Sequence, residues 1–189
     1  MKDHTITWHA HTIETAPEKS KEILAATKKS MGMIPNMHAY MAENPAMIGS
    51  YIHGYNLFRN IAGFNAIEQE VIFLSISVAN GCEYCVAAHS MVADQMSKVP
   101  VEITDAIRGG KSIPDTKLGA LSTFTQKLVN KRGRVTQEEI SEVLKAGYTN
   151  SHILGIITAV GVKTISNYMN EIIQTPVDEA FQHRAWSVE

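Results

Sequence analysis

Glu70-Val-Ile-Phe-Leu-Ser-Ile-Ser-Val-Ala-Asn80-Gly81-Cys82-Glu-Tyr-Cys85-Val-Ala-Ala-His89 is the stretch on which the reading of this chain turns, and it holds both of its cysteines. Asn80-Gly81 is a strong turn signal, since both residue types tolerate the left-handed conformation that ends helices. Before it, Ile67, Val71, Leu74 and Val78 recur at helical spacing, and Ile72, Phe73 and Ile76 cover most of the remaining surface. A helix apolar nearly all round is a buried one. After it, Cys82, Cys85, Val86, His89, Ala93 and Met96 follow helical periodicity and share one inward face.

That shared face carries the chemistry. Cys85 and His89 are one turn apart, within reach of an imidazole–thiolate hydrogen bond. In a helical hairpin with its tip at Asn80-Gly81, Glu70 lies opposite residue 91 and within about one turn of His89. The predicted constellation is carboxylate, imidazole, thiol, thiol, with both thiols near a helix N-terminus whose dipole favours thiolate. A thiol of pKa about 8.5 is roughly 3% ionised at pH 7, and one lowered to about 6.5 is roughly three-quarters ionised. Such a lowering corresponds to about 2.7 kcal/mol. By the dipole alone Cys82 is the nucleophile; the neighbouring imidazole favours Cys85. A partly desolvated Glu70 is expected to have its pKa raised towards neutrality, as suits a proton relay through His89 to Cys85, while Glu68 points to another side of the helix.

The pattern Glu-x11-Cys-x2-Cys-x3-His, with Asn-Gly before the first cysteine, resembles the alkylhydroperoxidase D-like, peroxidase-related branch of the carboxymuconolactone decarboxylase superfamily over about residues 66–96. The resemblance implies an all-α, single-domain helical bundle. It also implies that Cys85 attacks peroxide and passes through a sulfenic acid, that Cys82 resolves it as a disulfide, and that Glu70 and His89 form the proton relay. It implies a hydroperoxide substrate, a lipoyl- or thioredoxin-like dithiol reductant and a homo-oligomer such as a trimer or hexamer, with no cofactor and no metal. One position departs: the family's type enzyme has histidine immediately before the second cysteine, where this chain has Tyr84, which shortens the relay.

The chain's 189 residues, 44% of them hydrophobic, suit one domain spanning 1–189, with 1–13 and 176–189 as peripheral arms that could contact other subunits. A formal net charge of −2 and a single basic cluster, Lys131-Arg132-Gly133-Arg134, read as a helix C-terminus, argue against a nucleic-acid partner. No leader-like start and no apolar run of membrane-spanning length is present, so no membrane partner and a cytoplasmic location are expected. Two cysteines as Cys-x2-Cys in such a chain point to redox or metal chemistry rather than a disulfide framework.

About eight helices are expected. Thr15-x-x-Glu18 looks like a capping box opening a helix that ends at Gly32, and Pro35-Asn36 opens a short one. Asn44-Pro45 caps a third with an apolar stripe from Met47 to Phe58. Helices over 100–108 and 114–131 are closed by Gly109-Gly110 and Gly133. Thr136-x-x-Glu139 caps another, and Asn150 starts the last, to about residue 174. Gly155 and Gly161 in it suggest close helix approach or a tolerated cost. His4, His9 and His11 around Trp8 read as a peripheral segment. His53 and His152 read as structural or surface residues. Phe181 and Trp186 make the tail too apolar for a solvated end and suited to packing on a neighbouring subunit.

The expected function is an antioxidant oxidoreductase reducing hydroperoxides through Cys82 and Cys85. The alternatives are a thiol–disulfide exchange or redox-sensing module without turnover, a zinc protein using Cys82, Cys85 and His89, for which a fourth ligand is missing, and the superfamily's lactone decarboxylation, which does not require a Cys-x2-Cys.

Overall fold

The computed structural model describes residues 7–188, so His4 lies outside it. The helices begin where local chemistry satisfies their first N–H groups. After α1 (Glu18–Met31) and α2 (Asn36–Met41), the Asn44 side chain accepts from the amides of Ala46 and Met47 to start α3 (Pro45–Ile61). Asn65 and Glu68 close a reciprocal capping box on α4 (Ala66–Ala79), which the sequence reading did not single out. The chain then continues through α5 (Glu83–Met91), α6 (Val101–Arg108), α7 (Thr116–Asn130), α8 (Gln137–Lys145) and α9 (Asn150–Ile173), ending in a 3₁₀ turn, Glu179–Arg184. No strand occurs among the described residues, and all α-helices but α2 have at least eight residues, in keeping with the expected bundle.

Two local expectations are corrected. Thr15 does not cap α1: its hydroxyl accepts from the Thr12 amide, and Pro17 occupies the cap position with no side-chain bond. Helix α9 begins at Asn150 as expected, with Thr149 as its cap and His152 as the box partner. Met96 is 71% exposed instead of facing inward, because residues Val92–Met96 form a π-helical turn. Its Ser97 N–H to Val92 C=O bond at 2.9 Å takes one extra residue into the turn and rotates the side chains beyond it out of helical register.

Helix α4 is the axis of the molecule. Every residue from Glu68 to Ser77 is buried, as expected of a helix apolar nearly all round. On one side Phe73, Leu74 and Ile76 join Ile103, Ile107, Leu121 and Phe124 in an apolar cluster. On the other side a second cluster holds Leu24, Met41, Ile48 and Tyr51 together with Cys82 and Cys85. Burying each large side chain contributes about 1.5–3 kcal/mol. Glu68 is not a surface carboxylate: besides its cap role it pairs with Lys117 at 2.8 Å and accepts from the Tyr148 hydroxyl at 3.1 Å.

Gly155 is a close approach inside the chain, since a Cβ there would stand 3.0 Å from Phe64 Cε2 and 3.2 Å from the Ala62 carbonyl. Gly161 has nothing within 4 Å of that position. The tail's two aromatic side chains, Phe181 and Trp186, pack on their own chain. Phe181 is buried edge-on against Tyr84, and the Trp186 indole donates to the Arg108 carbonyl at 3.0 Å.

Candidate active site

Gly81, at φ +66°, turns the chain from α4 into α5, and Cys82 becomes the N-cap of α5 in extended conformation. Its Sγ accepts the Cys85 amide at 3.4 Å, which folds the first thiol back over the helix end towards the second. Both thiols are reduced and buried. From α9 the Asn170 amide donates to Cys85 Sγ at 3.2 Å and more distantly, at 3.9 Å, to Cys82 Sγ. The Cys85 thiol also lies 3.9 Å from the Ser166 hydroxyl.

The hairpin brings Glu70 to His89 as the spacing predicts, with Oε2 to Nδ1 at 2.8 Å. The imidazole's other nitrogen does not reach the thiol. His89 Nε2 is 3.0 Å from the Nζ of Lys163, a fully buried lysine on α9. An ammonium can only donate, so Nε2 accepts, and the Nδ1–H of a neutral imidazole donates to Glu70. The second Glu70 oxygen accepts from Arg59, whose guanidinium also donates to the Tyr55 hydroxyl and to Gln69 and lies over the Phe73 ring. The row is therefore Arg59, Glu70, His89, Lys163, with the thiols beside its far end.

This corrects two expectations. No His89–Cys85 hydrogen bond forms, because both imidazole nitrogens are engaged elsewhere. Glu70 is not raised towards neutrality: burial alone would push it up, but the attraction and hydrogen bond of His89 and the Arg59 guanidinium hold it below the usual carboxylate range. His89 is lowered, by burial first and then by the Lys163 charge, against the pull of Glu70.

The two thiols are driven apart. Burial by itself pushes Cys85 up, yet the hydrogen bond from Cys82, the Lys163 charge, the His89 ring and the Asn170 amide hold it well below the ordinary thiol value. Cys82 is pushed up, chiefly by donating to Cys85 and then by burial. The surroundings thus favour ionisation of Cys85 over Cys82, the reverse of what the helix dipole alone favours.

Two cavities lie near the pair: Cys82 walls one of them, and Cys85 walls neither. A mostly polar one of about 750 Å³ is walled by Cys82, Glu83, Asn170 and Gln174. An apolar one of about 870 Å³ runs between α1, α3 and α5, past Ile23, Met31, Ile52 and Met91 to His38, Tyr55 and His89. Tyr84, standing where the type enzyme of the resembled family has histidine, lines both cavities and is no part of the row. Its hydroxyl donates to Asp178 and accepts from the Met37 amide at 3.3 Å, and burial followed by the Asp178 contact pushes its pKa up, so its proton stays put.

His38 in the apolar cavity is 6% exposed, and its Nδ1 has no hydrogen-bond partner. Burial and then the Lys163 charge hold it down to about 4, from 6.5. The unfolded chain takes up a proton below about pH 6.5 that the folded chain refuses until about pH 4. Stability linked to His38 is thus full above 6.5, and about 3 kcal/mol of it is lost as the pH falls to 4. Urea midpoints at pH 6.5 and 4.5 are expected to fall less for His38→Leu than for the wild type. Equal falls would count against a neutral buried imidazole.

Sequence reasoning brought Cys82, Cys85, His89 and Glu70 to one place and missed Lys163, Asn170, Arg59 and His38. A signal existed for the first two. On the inward stripe Ile156, Ala159, Lys163, Asn167, Asn170, an otherwise apolar helix turns polar, and core positions accept such residues only for a partner. His53 is exposed, and His152 caps α9, as expected of residues outside the site. A zinc site from Cys82, Cys85 and His89 does not fit, because His89 is turned to Glu70 and Lys163. Among the described residues no group of three or more His, Cys, Asp or Glu side chains is placed to hold a metal.

Residues 53–116, which span Arg59, Glu70, both cysteines and His89, match the carboxymuconolactone decarboxylase family. The match covers 64 of the chain's 189 residues. No curated protein matches the sequence significantly. Solved structures share the fold of the matched segment and its flanking helices. An alkylhydroperoxidase AhpD-core, uncharacterized peroxidase-related protein from Ralstonia eutropha JMP134 is 20% identical, with 93% of this chain and 95% of that one covered at a TM-score of 0.81. An uncharacterized peroxidase-related protein from Silicibacter sp. TM1040 is 17% identical, with 97% and 99% covered at 0.78. A cysteine-to-alanine variant of the debrominase Bmp8, in complex with 2,3,4-tribromopyrrole, is 15% identical, with 96% of each chain covered at 0.78. The fold is thus that of the AhpD core. No helix among the described residues is long and apolar enough to cross a membrane.

Proposed function

We propose that this protein is a thiol peroxidase that reduces organic hydroperoxides. The observation that carries the reading is the Cys82–Cys85 pair at the start of α5, with the Cys85 amide on Cys82 Sγ and the Asn170 amide on Cys85 Sγ, in surroundings that push Cys85 down and Cys82 up, and with an apolar cavity of organic-substrate size walled by the neighbouring Tyr84 and His89. The Cys85 thiolate attacks the terminal oxygen of R–O–OH, the O–O bond breaks, and the alkoxide leaves and takes a proton. Cys85 is then a sulfenic acid. The Cys82 thiol attacks its sulfur, a disulfide forms and water departs. A dithiol reductant attacks the disulfide, and Cys85 is the better leaving group because its thiolate is the more stable. With no Cys–His hydrogen bond, activation rests on fixed charge rather than on a base that removes the thiol proton.

Cumene hydroperoxide and hydrogen peroxide are each to be supplied with dihydrolipoamide, and protein mass recorded before and after. Turnover with a reversible loss of two hydrogens, mapped to Cys82–Cys85, is the expected result. Loss of the hydrogens without turnover identifies a thiol–disulfide exchange protein instead.

A second reading is favoured by the fold shared with a debrominase that binds a brominated pyrrole. The same pair can supply two electrons and a proton to a bromoarene, releasing bromide and the protonated ring and leaving the same disulfide. Bromide release from a bromopyrrole, with no peroxide turnover, selects it.

A further inference from the structure

We propose that Lys163 is the cation against which Cys85 ionises, and that the Glu70–His89 dyad serves to hold Lys163 in place rather than to take a proton from the thiol. Lys163 Nζ is buried on α9, its one hydrogen-bonded partner is the neutral Nε2 of His89 at 3.0 Å, and no carboxylate lies within ion-pair distance of it among the described residues. A buried ammonium without an anion costs several kcal/mol, so such a residue persists where a counter-charge exists.

The charged and titratable groups around it leave one candidate. On α2, His38 is neutral. On α3, Arg59 is a second cation, cancelled by Glu70 of α4, and Tyr51 is pushed well above its ordinary value by burial. On α5, His89 is neutral and Cys82 keeps its proton. Neighbours on α9 itself, Ser166 and Asn170, are uncharged, and both lie at Cys85 Sγ. Cys85 is the remaining group able to be an anion, and the site is neutral when it is a thiolate. The dyad fits the second half of the proposal: Glu70 polarises His89 through Nδ1–H, which makes Nε2 a better acceptor for the ammonium.

Where the peroxidase reading holds, a proton moves as well. Cys85–S⁻ plus ROOH plus Lys163–NH₃⁺ gives Cys85–SOH plus ROH plus Lys163–NH₂, so the site stays neutral as the thiolate is consumed, and reduction by a dithiol returns the proton.

The test needs no peroxide, so its failure is separable from failure of the peroxidase reading. Cys85 alkylation by iodoacetamide is followed against pH by peptide mapping in the wild type and in Lys163→Met, which keeps the length of the side chain and removes its charge. The wild-type midpoint is expected well below about 8.5, and that of Lys163→Met at or above it, with at least about a tenfold lower rate at pH 7. A folded Lys163→Met with an unmoved midpoint overturns the proposal. A merely structural lysine would alter stability and leave the midpoint alone. The wild type provides a second readout that does not depend on the variant folding. The Lys163 ¹⁵Nζ resonance is expected to shift with the same pH midpoint as Cys85 alkylation, and again when Cys85 is alkylated. A resonance indifferent to both overturns the proposal as well.

Discussion

Cys85→Ser is expected to abolish peroxide turnover, with a loss of at least about 10⁴-fold, the scale seen when the attacking group of a preorganised site is removed. Serine keeps the shape, but its hydroxyl is not ionised near neutrality and no base is bonded to it to compensate. Cys82→Ser is expected to behave differently. Its Cys85 still attacks peroxide once, and the sulfenic acid then accumulates at Cys85 and can be trapped with dimedone, because no second thiol condenses with it. The oxidation rate of the wild type is expected to be level around neutral pH and to decline only in acid, since Cys85 lies well below the ordinary thiol range. Trapping at Cys82 in Cys85→Ser, with none at Cys85 in Cys82→Ser, would exchange the roles of the two residues and contradict the charge pattern around Cys85.

Glu70→Gln is expected to cost about 3–5 kcal/mol of folding stability at pH 7, the range for removing one member of a buried ion pair. Glu70 is completely buried and takes both Arg59 and the His89 Nδ1–H, so the amide leaves the half-buried Arg59 guanidinium without its counter-charge. The pH dependence has a definite sign. The folded pKa of Glu70 lies below the unfolded value of about 4.3, so its contribution is complete above that value and is lost as the pH falls through the folded pKa. Urea midpoints for the wild type and the variant are therefore expected to differ most above pH 5 and to converge in strong acid. A gap independent of pH would show that Glu70 acts by packing and not by charge. Glu68→Gln is no neutral control, because Glu68 completes the α4 cap and pairs with Lys117. Glu22, exposed on α1, is a suitable one.

The parts of this protein legible from its residues alone are those written locally. Asn44-Pro45 and Thr136-x-x-Glu139 announce helix starts because a cap and its amides lie within three residues. The burial of α4 is visible in its lack of a polar face. The meeting of Glu70 with His89 comes from one hairpin whose turn, Asn80-Gly81, is itself in the sequence. Which thiol the surroundings favour for ionisation depends in part on the packing of distant helices. The dipole signal, local to α5, favours Cys82; the Cys82 hydrogen bond to Cys85 opposes it locally, and the charge and amide that add to it arrive from α9 across long separations: Lys163 is 74 residues from His89, and Asn170 is 85 from Cys85. Met96 failed for a related reason, since one π turn shifts the register of every residue after it and no residue pattern in 92–96 marks where the extra residue enters. A buried charge acts through distance and low dielectric, not through position along the chain, and so the part that Lys163 and Asn170 play in lowering Cys85 exists only once α9 has packed against α5.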